Sequence, residues 1–184
     1  MRARPWLWLT LLCWAVPAAA EPDHAPDHAI DPKVSPVLFA DETYGGRFPD
    51  ELLYEQRDGI RTFTAIYAKD EGYTSVIYGQ AQSGVFEARG RAPGEVKRFF
   101  IPDGSAATAV GEGATVQQGR RYAFERYALR HEGQDYGCFV ATAPSEADVV
   151  IVNLCRFDAQ VPDDAAVVRT LGLLSFADAR ARET

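Results

Sequence analysis

Long apolar runs are scarce in this chain. The longest lies at the amino terminus, Trp6 to Val16 in "MRARPWLWLTLLCWAVPAAA", and roughly 11 residues fall short of the ~20 that a membrane-spanning helix needs. Tryptophan and methionine are scarcer still, since Trp6, Trp8, Trp14 and Met1 are the whole supply. With three cysteines and three histidines, the chain lacks the paired Cys or His spacings of a structural zinc site. It also lacks a G-x-S-x-G elbow, an H-E-x-x-H helix, a Gly-rich phosphate loop and an EF-hand pattern. "GEGATVQQG" has the glycines of a phosphate loop without the Lys-Ser/Thr ending. A net charge of −7 argues against a nucleic-acid partner, whose phosphates call for a basic surface. No cofactor-binding motif is found.

The opening residues explain several of these shortages at once. Arg2 and Arg4 precede the short apolar run, and Ala18-Ala19-Ala20 follow it; that order predicts a signal peptide over residues 1–20. Thr10-Leu11-Leu12 ahead of Cys13 lack the small residue that lipoprotein processing requires. Cleavage after Ala20 would leave 164 of the 184 residues, with no Trp, no Met, two cysteines and a net charge of −9, because Arg2 and Arg4 leave with the leader. That length suits a single domain with a full hydrophobic core. The expected location is the periplasm or the extracellular medium.

An exported chain with two cysteines is expected to oxidise them to one disulfide. "YGCFVATAP" and "DVVIVNLCRF" are rich in β-branched and aromatic residues, and "PSEAD" separates them, which predicts a hairpin. A four-residue loop Ser145–Asp148 would put Pro144 opposite Val149. The same register sets Cys138 directly opposite Cys155, with Cα atoms about 4.5–5.5 Å apart, a separation a disulfide accepts.

Residues 21–40, "EPDHAPDHAIDPKVSPVLFA", contain four prolines and no sustained periodicity, and are expected to form a Pro-rich acidic arm. The doubled "PDHA" places His24 and His28 beside Asp23 and Asp27, a loose set of donors for a divalent copper or zinc ion. Residues 41–184 are expected to form one domain. "GIRTFTAIYAKDEGYTSVIYGQ" reads as a hairpin in which Phe63, Ala65 and Tyr67 share a face with Thr74, Val76 and Tyr78. Val85–Arg89 and Val96–Ile101 have strand-like composition, and the small, Gly-rich run Pro102–Gly119 reads as a long exposed loop. From Arg120 three antiparallel strands are expected, with loops at His131–Gln134 and Ser145–Asp148. Alternation assigns Tyr122, Phe124, Ala128, Phe139, Ala141, Val150, Val152 and Leu154 to a core face. It assigns Glu125, Tyr127, Leu129, Tyr136, Cys138, Val140, Ile151, Asn153 and Cys155 to a mixed face that is open or covered only in part. Pro162-Asp163-Asp164 would start a helix whose apolar stripe is Ala165, Val168 and Leu171, with Gly172 as its stop. The fold class that results is α+β: a twisted antiparallel sheet of about seven strands packed against a C-terminal helix.

Charge is unevenly spread. Residues 85–131 carry 8 basic and 5 acidic groups, while the flanking segments are acidic. Arg120, Arg121, Arg126, Tyr127 and Arg130 are the candidate contact residues for an anionic glycan, a lipid headgroup or an envelope protein. The function expected is therefore a non-catalytic exported domain that binds a ligand, glycan or envelope partner and is stabilised by one disulfide. Two alternatives stand beside it: a secreted hydrolase using His131 with nearby acids, and metal handling by His24 and His28.

Overall fold

The computed structural model describes residues 28–39, 48–57, 59–69, 72–81, 92–145 and 148–176. The signal peptide over residues 1–20, His24 and the strand expected at Val85–Arg89 lie outside them.

Among the described residues, ten strands and two α-helices follow one another: β1 (His28–Ala29), β2 (Val37–Phe39), β3 (Glu51–Arg57), β4 (Ile60–Lys69), β5 (Gly72–Ala81), α1 (Pro93–Lys97), β6 (Ala106–Gln117), β7 (Arg120–His131), β8 (Gln134–Pro144), β9 (Asp148–Arg156), α2 (Asp164–Gly172) and β10 (Leu174–Phe176). Eight strands form one sheet in the order β1-β3-β4-β5-β9-β8-β7-β6, one more than the seven or so expected, and β2 and β10 pair separately. All pairings are antiparallel.

The registers follow from turn chemistry and alternation. Phe63, Ala65 and Tyr67 stand opposite Tyr78, Val76 and Thr74 as expected. Pro144 faces Val149, and Cys138 faces Cys155. The His131–Gln134 connection is tighter than a four-residue loop. His131 and Gln134 are themselves paired, and Glu132 and Gly133 turn the chain with φ of 50° and 83°, the two positive-φ residues of a primed hairpin turn. Gln118 and Gly119 (φ 51° and 76°) do the same between β6 and β7.

That last hairpin overturns the expected loop at Pro102–Gly119. Twelve of its residues form β6, paired with β7 from Ala106–Arg130 to Gln117–Arg120, with a bulge between Ala109 and Gly111. Small residues suit a strand poorly by propensity, but here they make room for β7. A Cβ on Gly113 would come 2.3 Å from the Phe124 ring, and one on Gly111 would come 2.4 Å from the Arg126 guanidinium. The other correction falls on Val96–Ile101. Val96 and Lys97 end the helix α1 and the chain then turns; Pro93 occupies its first turn and Glu95 lies beside it, both favourable at a helix start. A helix of five residues is too short to display a 3.6-residue period.

The two faces of the sheet carry separate apolar cores. One gathers Tyr67, Val76, Tyr78, Tyr122, Phe124, Phe139, Val150, Val152 and Leu154 against α2 and the β2–β10 ribbon. Val37 and Phe39, at the end of the segment read as an arm, are buried in it. Asp163 caps α2, its carboxylate accepting from the Ala166 amide at 2.7 Å. The buried stripe of α2 is Val167 and Leu171, one turn apart, while Ala165 is exposed and Val168 half-buried. The expected stripe thus shared only Leu171 with the real one.

Candidate functional site

The second core lies on the face expected to be mixed. Tyr127, Leu129, Cys138, Val140 and Cys155 are buried there with Val96 of α1, and Tyr73, Phe100, Ile101, Tyr136 and Ile151 pack around them. Cys138 and Cys155 form the expected disulfide, with Cα atoms 4.2 Å apart. Both are fully buried. Beside the bridge the Tyr127 hydroxyl donates to Asn153 Oδ1 at 2.7 Å, and Asn153 Nδ2 approaches the Tyr73 hydroxyl at 3.5 Å. Burial pushes the Tyr127 and Tyr73 phenols upward from their ordinary range, so both stay neutral hydrogen-bonding groups.

Helix α1 covers only part of this face, and a cleft opens beside its first turn. Ala92, Pro93, Gly94 and Glu95 form one wall, and Glu112, Gly113, Ala123, Phe124 and Glu125 form the other, around about 270 Å³. Glu125 is 4% exposed and bonds to Lys97 of α1, whose ammonium also sits 5.5 Å from the centre of the Tyr127 ring. This ion pair, closed over an aromatic ring, fixes α1 to β7. Gly94 lets the helix approach, because a Cβ there would fall 2.7 Å from Glu125 Oε2. Glu112 stands directly across from Glu125 in the β6–β7 ladder, a like-charge arrangement that opposes pairing. Glu95 and Glu112 are exposed and have no ion-pair partner among the described residues. The cleft thus presents apolar walls, and no described residue compensates the charge of Glu95 or Glu112.

The arginines singled out in the sequence do not gather into one patch. Arg120 makes a two-pronged contact with Asp148, 2.6 Å on each arm, and its guanidinium stacks 4.6 Å from the Phe176 ring centre. Asp148 also receives the Ser145 hydroxyl at 2.6 Å and the Tyr78 hydroxyl at 3.1 Å. Burial alone would raise the Asp148 carboxyl, but these donors prevail and hold it below the ordinary carboxylate range. Arg126 lies 2.9 Å from Asp164 at the start of α2. Both of these arginines are on the α2 side of the sheet. Arg130 is exposed, 3.9 Å from Asp135, and Tyr127 is buried. Arg121 alone sits on the cleft side, exposed and opposite the exposed Val116.

His131 has Ser105 Oγ 2.8 Å from its Nδ1, and no acid pairs with it among the described residues. His28 is exposed and meets the Tyr54 ring edge-on at 5.4 Å. Among the described residues, no group of three or more His, Cys, Asp or Glu stands close enough to hold a metal ion, and no helix is long and apolar enough to cross a membrane. The sequence reading missed Glu95, Glu112 and the cleft, and counted Lys97 only among the basic groups of residues 85–131, because the cleft exists only once α1 and β6 are in place.

Fold and site together define a disulfide-stapled, single-domain antiparallel sheet with a small acidic cleft beside one edge. No protein-family model matches the chain, and no curated protein is similar to it at a significant level. Among solved structures it is similar to cyanobacterial PsbP (CyanoP) from Synechocystis sp. PCC 6803, with 11% identity and a TM-score of 0.39 over 75% of this chain and 90% of that one. A likeness this distant bears on no functional property.

Proposed function

We propose that the protein is an exported, non-catalytic binding domain, periplasmic or secreted, whose contact surface is the α1–β6–β7 cleft and its rim. The observation that carries this reading is the cleft itself: an opening walled by Ala92, Pro93 and Ala123, with Glu95 and Glu112 at hand. Clefts with apolar walls and few polar groups are where ligands are held and oriented. Of the contact residues read from the sequence, Arg121 contributes on this side through the rim near Val116, and the partner is an envelope protein in preference to a glycan or lipid headgroup. Tight ion pairs at Arg120 and Arg126 leave those side chains to structural work.

A photo-crosslinking side chain at Ala123, in the protein as its own cell exports it, tests the reading against the same group at exposed Gln134. One specific adduct from position 123 and none from 134 is the expected result. Equal adducts at both positions, or none at either, would overturn it. A hydrolase centred on His131 has the Ser105 contact in its favour; failure of a fluorophosphonate probe to label Ser105 would remove that reading.

A further inference from the structure

The two edges of the sheet are unlike. At one end β3 carries Glu51, Glu55 and Arg57 and is partly covered by the two residues of β1 at Leu53 and Tyr54. Charges and short covering strands are the usual means of preventing edge-to-edge pairing. At the other end β6 is 12 residues long and reads AATAVGEGATVQ, with one charge and neither Lys nor Pro. Its bulge interrupts pairing geometry at Ala109–Gly111 and leaves Gly111–Gln117 regular. No strand among the described residues pairs with its outer side.

Alternation sorts this regular run. Glu112, Ala114 and Val116 are exposed and stand opposite Glu125, Ala123 and Arg121, on the side where the cleft opens. Val116 is 64% exposed, the most of any large apolar side chain described. Three carboxylates, Glu95, Glu112 and Glu125, border the cleft, and among the described residues only the last has a compensating cation, Lys97. A partner that brings a cation to Glu112 would relieve the like-charge pair across the β6–β7 ladder.

We propose that the outer edge of β6 over Gly111–Gln117 is a strand-addition site for an extended segment of a partner protein. That segment carries a Lys or Arg that reaches Glu112 and Glu95, and an apolar residue that covers Val116. Main-chain hydrogen bonds supply affinity in this mode, and alternate side chains supply specificity. Because Glu112 and Val116 lie four apart on one face, the basic and apolar residues of the segment must also be four apart. The inference deepens the binding-domain reading and rests on it.

The probe is the blocked peptide STVTSTRTS, titrated into the exported protein and followed by backbone amide NMR shifts. Expected are shifts confined to β6 and the cleft, affinity weakened about tenfold or more by Glu112→Lys, and recovery when that variant meets the peptide with Glu in place of Arg. Shifts elsewhere, or indifference to the charge swap, would overturn the proposal. So would exchange protection of the Gly111–Gln117 amides in the free monomer, which would mean the chain covers this edge itself. Concentration-dependent dimerisation through β6 would overturn it in favour of a second copy. If crosslinking from position 123 succeeds while the peptide fails, strand addition falls and the binding-domain reading stands.

Discussion

At the scale of single residues, two buried charges govern what substitution will do. Glu125 is nearly sealed and Lys97 is its compensating cation, so Lys97→Ala should cost about 3 kcal/mol in urea unfolding, because it strands a carboxylate without a partner. Replacing both with Met should recover most of that loss, since desolvation is then no longer charged to either group. Asp148 makes a prediction about pH. Its folded pKa lies below the ordinary 3.8, so its contribution is complete above about pH 4 and is lost as pH falls through the lower folded value. Asp148→Asn should therefore lower the unfolding free energy from urea titration at neutral pH by about 1–3 kcal/mol, while the two proteins converge in acid. The disulfide was legible in the sequence because strand alternation and parity of two thiols point the same way. Lys97 with Glu125 was not, since 28 residues separate them and only the folded position of α1 joins them.

At the scale of elements, legibility follows side-chain size. The run β7–β8–β9 announces itself through Tyr122, Phe124, Phe139, Val150 and Val152, whose period of two settles register and face together. Strand β6 is invisible by the same test because its residues are chosen to yield space to β7. That account has a direct consequence for two glycines in the one strand. Gly113→Ala drives a methyl into the buried Phe124 ring, which has nowhere to move, and should destabilise by about 1–3 kcal/mol as an overpacking substitution. Gly111→Ala meets only the Arg126 guanidinium end, a long side chain that can swing aside, and should cost clearly less. Thermal melts of the pair decide the matter: equal losses would show that β6 takes glycine for its backbone and not for β7. Helix α2, by contrast, was legible from its start, with Asp163 as the cap, but its buried stripe reaches Leu171 through Val167 instead of Val168, because the period alone does not say which side meets the sheet.

At the scale of the whole molecule, the sheet buries tyrosines on both faces, and that couples the disulfide to alkaline stability. Tyr67 and Tyr122 are at most 1% exposed, and burial pushes both phenols up to about 12 from an ordinary 10.0. A raised folded pKa gives stability that is whole below the unfolded value near 10 and drains away as pH climbs toward the folded one. Each such group removes about 1.4 kcal/mol per pH unit in that window, so these two alone give a slope of roughly 2.7, which the raised Tyr73 and Tyr127 phenols steepen. Phenolate absorbance should accordingly rise in a step that coincides with loss of near-ultraviolet circular dichroism. The Cys138–Cys155 bridge spans a separation of 17 residues, and removing it as Cys138→Ala with Cys155→Ala should cost about 3 kcal/mol. Divided by a slope at least that steep, the loss moves the alkaline midpoint down by up to about one pH unit. An unchanged midpoint in the double variant would mean that the tyrosine core opens independently of the bridged face, and that the two cores on opposite sides of the sheet are not one cooperative unit.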